Sequence, residues 1–309
     1  MAYSSGGLIQ AADFNGLATT NTSNVAFVWG TGSAQYGYGQ STTALSTLSA
    51  GTTVTAAQWS GFLNTINSSL QHQGSASIGP LNYTTGQTVT YFANVGTSIA
   101  SINTNANVFA TQGTIVTGTN FVNYANTAAN VAYGPAYVLT RTVTFASGDA
   151  ARYFFNAGGQ LNFVIPSVAV LTADTRGTDA QTLLQTNLAG FSAFRNYSGG
   201  GRTGTGGTLG TNATTIGYRQ QTTAYQTLVS ITSATASYTT DTCNLVVRSN
   251  GPVGTNQDLG SIITFSVGLS MPAHAGFNDA LAVGINNRID IVPPETTYLT
   301  NSWGSITVA

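Results

Sequence analysis

Proton transfer, nucleophilic attack or metal binding in this chain would have to begin from His72, His274, Cys243 and nine carboxylates, of which Glu295 is the only glutamate. A thiol nucleophile needs a base within hydrogen-bond reach. Cys243 lies in the strand-like run TCNLVV, where a small buried apolar residue is expected, and as the only cysteine it can form no disulfide within the chain. The two histidines stand far apart in the sequence and read as ordinary core or surface residues. Glycoside hydrolysis needs an acid and a base carboxyl at a set separation. Asp174 and Asp179 flank a helix start, which capping explains, and Asp149 with Arg152 makes a first-turn ion pair of marginal energy. Asp258, Asp279 and Asp290 could each offer oxygen to Ca²⁺, but none sits in an oxygen-rich loop of recognisable spacing.

The glycine runs fare no better. Gly199–Gly201 and Gly204–Gly207 fall in SGGGRTGTGGTLGTN (198–212), with no P-loop lysine and no strand-then-helix frame around them, so a solvent-facing loop is expected. Eight scattered arginines make no basic stripe for nucleic acid. No run approaches membrane-spanning length. The opening MAYSSGG lacks a basic segment followed by an apolar core, so no signal peptide is expected, and the protein should stay in the cytosol or leave it by a route other than secretion. No catalytic, cofactor-binding or metal-binding residues are assigned, and an enzyme is not expected. The candidates that remain are aromatic. Phe14 and Trp59 are expected in the core of the N-terminal region, whereas Trp29, Tyr36 and Tyr38 are expected at an assembly interface, the tyrosines because they lie in the glycine loop GTGSAQYGYGQ (30–40).

The elements that would position these residues are uneven in strength. The anchor is TRTVTFASGDAARYFFNAGGQLNFVI (140–165), read as strand, short helix, glycine turn and strand, with Ser147 as helix cap and Gly158-Gly159 as the left-handed exit. Before it, Leu8, Ala11, Ala12, Phe14 and Leu17 mark one helical face. Thr55 to Gln58 fits a capping box ahead of the stripe Trp59, Phe62, Leu63, Ile66, Leu70. Short strands are expected at 88–93, 115–117 and 121–124. A second capping box, Thr178 to Gln181, precedes Leu183, Leu184, Leu188 and Phe191, predicting a helix over 178–191. Strands follow at 225–232, 244–248, 281–285, 288–292 and 298–308. The cleanest alternation of all is Ile263, Phe265, Val267, Leu269, Met271. The expected fold is mainly β with a few helices (α+β). It comprises a helical, aromatic-loop docking module (1–75), an extended or β linker (76–137) and a β-sandwich-like antiparallel body (138–309) with short helices near 148–156 and 178–191 packed on it.

Composition gives the functional clue. Charged residues are 6%, lysine is absent, net charge is −1, and hydrophobic content is 42%. The hydrophobic content argues against disorder. A free monomer draws solubility from charge, whereas interface cores are depleted in it. A permanent homo-oligomer is therefore expected, its hydroxyl and amide groups pairing across contacts.

Three blocks carry a resemblance. The pattern ADFN…VWGTGSAQYGYGQ…AAQW…INSSLQHQG (12–74), the block TVTFASGDAARYFFNAGGQLNF (142–163) and the late NSWG (301–304) resemble a family of virion structural proteins of tailed bacteriophages, especially myovirus-type phages of cyanobacteria. The chain departs from that family in carrying less charge around the second block. The resemblance implies a non-enzymatic tail, neck or fibre-associated component located in the virion and assembled in the host cytoplasm. Its partners would be further copies of itself, as a trimer or hexamer, and other virion proteins. The alternative is a receptor-binding or adhesin protein contacting host surface glycans. No cofactor, nucleic acid or membrane insertion is implied.

Overall fold

Helices dominate the first third of the chain because its apolar residues recur at helical spacing. The computed structural model describes residues 9–18, 24–79, 82–87, 92–134, 137–172, 174–188, 194–195, 217–218, 222–254, 256–258, 260–274, 276 and 279–309. Helix α1 is Ala11–Ala18 and α2 is Val25–Trp29. Helix α3, Ala56–His72, begins at the expected capping box: the Thr55 hydroxyl accepts from the Gln58 N–H at 3.2 Å, and Gln58 Oε1 accepts from the Thr55 N–H at 2.9 Å. Its whole stripe, Trp59 to Leu70, is buried, and Phe14 of α1 meets Phe62 with ring centres 5.5 Å apart.

The stretch 76–137, expected as an extended or β linker, holds a helix as well as a strand. Residues Phe92–Thr104 form helix α4, overlapping the strand expected at 88–93, whose residues 88–91 lie outside the described set. Val95, Ile99 and Ile102 bury one face at i, i+4 and i+7. Gly96 and the β-branched residues lower helix propensity enough to hide that period, and packing against α2 and α3 restores it. Strand β1, Phe121–Thr127, follows, while the expected strand at 115–117 reduces to a single bridge from Val116 to Ile291.

The anchor folds as its residues dictate. Strand β2 (Leu139–Phe145) alternates buried and half-exposed residues. Ser147 accepts the Ala150 N–H at 3.0 Å and starts helix α5, Gly148–Asn156. Gly158, at φ 100°, turns the chain into strand β3, Gln160–Val170. Helix α6 then spans Thr175–Gln181 and widens into a π-turn over Thr182–Asn187. The helix expected over 178–191 thus starts earlier. Asp174, not Thr178, caps it, taking the Arg176 N–H at 3.3 Å: Asp174 has the extended backbone of a cap, whereas Thr178 lies inside the helix and donates its hydroxyl back to the Asp174 carbonyl. Leu183, Leu184 and Leu188 are buried as expected, and Phe191 lies outside the described residues.

Two short strands, β4 (Phe194–Arg195) and β5 (Gly217–Tyr218), precede β6 (Gln226–Thr232), β7 (Thr242–Ser249), β8 (Ile262–Ser270), β9 (Leu281–Val292) and β10 (Ile306–Val308). Strand β9 is continuous where two strands were expected. The five-stranded sheets run β1-β9-β3-β4-β5 and β10-β2-β8-β7-β6. Pairing is antiparallel except between β4 and β5. The fold is α+β and β-rich. Strands β2 and β3 belong to opposite sheets, so α5 and its glycine exit carry the chain across the layer. Phe163 and Phe265 stack between the sheets at 6.1 Å. The buried apolar residues of helices and both sheets form one cluster, reaching Trp303, which meets Phe154 edge-on at 6.3 Å. Among the described residues, no helix is long and apolar enough to cross a membrane.

Candidate functional site

The glycine-aromatic loop 30–40 is held from below by α5. Arg152 and Asn156 are one helical turn apart, so both point the same way. Arg152 is buried, pairs with Asp149 at 2.9 Å and donates to the carbonyls of Thr31 and Tyr36. Asn156 donates to the carbonyls of Ala34 at 3.1 Å and Tyr36 at 3.0 Å. Gly39, at φ 68°, lies flat on the Tyr153 ring, where a Cβ would collide. From the other side, Gln40 ties the loop to the C-terminal segment, accepting the Thr300 N–H at 2.7 Å and donating to the Thr300 carbonyl at 3.0 Å.

This arrangement divides the aromatic candidates. Tyr38 is fully buried. Its hydroxyl donates to the Ala106 carbonyl and accepts from Gln73 Nε2, both at 3.0 Å, and its ring meets His72 edge-on at 5.0 Å. Assigning Tyr38 to an interface is therefore corrected: a side chain with no solvent exposure in its own subunit has no surface to offer another. Position in a glycine loop is a poor guide to exposure when the loop is laid across a helix. Trp29 and Tyr36 are half-buried, Trp29 donating to the Ser41 carbonyl at 2.9 Å and Tyr36 packing on Phe27 at 4.9 Å. They keep a face toward solvent. Phe14 and Trp59 are core residues.

A second cluster was not anticipated. Helix α6, the β6–β7 connection and the approach to β9 bring together four aspartates, a histidine, a tyrosine and a serine. Arg176 is buried and gives its guanidinium to the carbonyls of Val131 at 2.8 Å, Met271 at 2.7 Å and Pro272 at 3.3 Å. Asp174 accepts the Ala280 N–H at 2.7 Å. Ser233 donates its hydroxyl to Asp179, and its backbone N–H to the Asp241 carbonyl at 2.8 Å. His274 Nε2 stands 2.7 Å from Asp241 Oδ1, and Tyr238 donates to Asp279. Burial pushes the Asp241 carboxyl up, against the pull of His274 and Arg176, and raises the Tyr238 hydroxyl in the same way. The roles do not form a hydrolytic relay. Ser233 is committed to Asp179 and His274 to Asp241, and among the described residues no hydrogen bond joins Ser233 to His274. Nor does any group of three or more His, Cys, Asp or Glu among the described residues converge as metal ligands. The cluster pins three loops together. Its members lie in separate stretches from Asp174 to Ala280, and no local spacing marks them.

The remaining titratable candidates are occupied or sealed. Cys243 is fully buried in β7, and burial pushes its thiol up. Asp258 accepts the N–H groups of Val253, Gly254 and Gly260, and Asp290 takes Arg288 and the Gly118 N–H. A shallow pocket of about 260 Å³ beside α1 is lined by Phe14, Leu48, Ala57 and the hydroxyls of Thr43 and Ser46, with no titratable group. The loop 198–212 lies outside the described residues. No known protein family, curated protein or solved structure matches this chain.

Proposed function

We propose that this chain is a non-enzymatic structural component of a tailed-phage virion, tail, neck or fibre-associated, and that it assembles as a homo-oligomer through low-charge surfaces. The observation that carries the reading is where the charges go. Arg141, Arg152, Arg176, Asp179, Asp241, Asp258 and Asp290 are all buried. A chain already poor in charge spends much of it on internal ties, and no Asp, Glu, Lys or Arg occurs between Asp13 and Arg141. Over the described residues the exterior that results is mostly hydroxyl, amide and apolar. Such a surface is poorly suited to a free monomer and well suited to burial against like surfaces. The two long blocks that resemble virion proteins are also one structural unit, because the loop of the first is held by the helix of the second. That unit offers half-exposed Trp29 and Tyr36 as a docking edge toward other virion proteins.

Sedimentation velocity at micromolar concentration tests the assembly, and immunogold labelling of phage particles with antibody to this chain tests the location. Discrete oligomers and labelled particles are expected. A stable monomer would overturn the assembly reading, and unlabelled particles the virion reading. Labelled protein that adheres to host cells would move the assignment to the glycan-binding alternative.

A further inference from the structure

Among the described residues, the segment 108–131 carries most of the large apolar side chains that the fold leaves in water: Ile115, Val116, Val122 at 56% and Tyr124 at 67% exposure among them. It follows β9 antiparallel as the outermost strand of its sheet. The Gly113 N–H meets the Pro293 carbonyl at 2.9 Å, Val116 and Ile291 exchange bonds of 2.8 and 3.0 Å, and β1 then pairs from Phe121 opposite Asn287 to Thr127 opposite Leu281. Among the described residues, no strand pairs with the other side of β1.

This edge is rigid and unguarded. On the inward face Arg141 donates to Asn123 Oδ1 and lies 4.2 Å over the Phe121 ring, so β1 is fastened in place. On the outward face Val122 stands opposite Asn286, while Tyr124 stands opposite Gly284, with Ala169 beyond it and Ala282 beside it, a low floor of small side chains under the ring. Proteins normally protect a sheet edge with charge, proline or a covering element. Residues 106–134 contain no charged residue and no proline. Among the described residues, the one charged pair on the neighbouring outer face, Arg288 with Asp290 at 2.8 Å, neutralises itself.

Building on the homo-oligomer reading, we propose that β1 is the contact between copies: β1 of a second copy pairs with it antiparallel about a two-fold axis near Tyr124, making one sheet continuous across both subunits. A two-fold contact places each side chain against its own symmetry mate or a near neighbour, so a charged edge would repel itself. This edge has no ionised group to oppose the pairing. Tyr124 is the middle residue of β1, and the pairing sets the two tyrosines side by side over the small-residue floor, with Val122 opposite Asn126. Such a contact builds dimers or dihedral hexamers and excludes a simple cyclic trimer.

The test uses the full chain. In the double variant Val122→Lys/Tyr124→Lys the sedimenting mass should fall at least two-fold, with circular dichroism and thermal midpoint kept. In Tyr124→Cys, mild oxidation should give a covalent dimer, since Cα atoms across an antiparallel pair lie about 4.5–5.5 Å apart, within disulfide reach. Val253→Cys, exposed elsewhere, should give none. Should the lysine variant misfold, the cross-link decides alone. A folded lysine variant that keeps its oligomeric state, or a wild-type oligomer whose Tyr124→Cys form does not cross-link, overturns this inference and leaves the homo-oligomer reading standing. A monomeric wild type removes both.

Discussion

His72 sits where its charge is most strongly opposed. It is buried at the end of α3 against the Tyr38 ring, its Nε2 has no hydrogen-bond partner, and desolvation lowers its pKa to about 4 despite Glu295 and the Ala157 carbonyl. The unfolded chain takes up this proton near pH 6.5, whereas the fold resists it to about pH 4. The fold therefore favours the neutral ring, and the contribution is whole above pH 6.5 and lost as pH falls toward 4. The loss is on the order of 3 kcal/mol, from about 1.4 kcal/mol per pKa unit. Urea unfolding of His72→Gln across pH 4 to 8 should show that component gone, with the two stability curves converging as pH falls. Tyr38 makes a complementary prediction. Tyr38→Phe removes a hydroxyl placed between Ala106 and Gln73. It should cost about 1–3 kcal/mol in urea unfolding and leave the oligomeric state unchanged. A change in association without a loss of stability would return Tyr38 to the interface.

At the scale of elements, α5 is the hinge pin between the helical layer and the body. Its cap, short length and glycine exit are local features. Its larger role comes from Arg152 and Asn156, which bind carbonyls more than a hundred residues earlier in the chain. The ion pair read as marginal from its i, i+3 spacing is one arm of a buried guanidinium that also holds two carbonyls. Removing one member of a buried charged set costs more than breaking an exposed pair. Arg152→Leu should destabilise the fold by about 3 kcal/mol. It should also speed hydrogen exchange selectively at the amides of Tyr38, Gly39 and Gln40, which bond back to Val28, Gly30 and Trp29. Uniform acceleration across all elements would mean that Arg152 supports only global stability.

Among the described residues, seven charged side chains lie inside the fold, and the net charge of the chain is −1. Screening by salt acts on exposed charges and hardly reaches buried ones. Raising NaCl from about 0.05 to about 0.5 M should leave the thermal midpoint and the sedimenting mass almost unchanged. An oligomer that dissociates over that range would show that its contacts are ionic, contrary to the proposal.

Much of the architecture is written in short stretches. The Thr55–Gln58 box, the Ser147 cap, the Ile263–Met271 alternation and the burial of Phe14 and Trp59 follow from rules that act within a turn or two of chain, and they gave the β-rich α+β class. Helix α4 was less legible because Gly96 and its β-branched neighbours blur the period. The start of α6 is not legible locally because Asp174 and Thr178 are both competent caps, and only the folded backbone, extended at Asp174 and helical from Thr175, separates them. The burial of Tyr38, the hold of Arg152 on loop 30–40 and the Asp179–Ser233 and Asp241–His274 ties belong to the tertiary structure alone. They join residues from remote stretches, and no local propensity records which remote group will complete a hydrogen bond. Composition alone determined that charge would be scarce; the folded path of the chain decided that so much of it would be buried, because a guanidinium or carboxylate enters the core only where several carbonyls or N–H groups converge to replace its water.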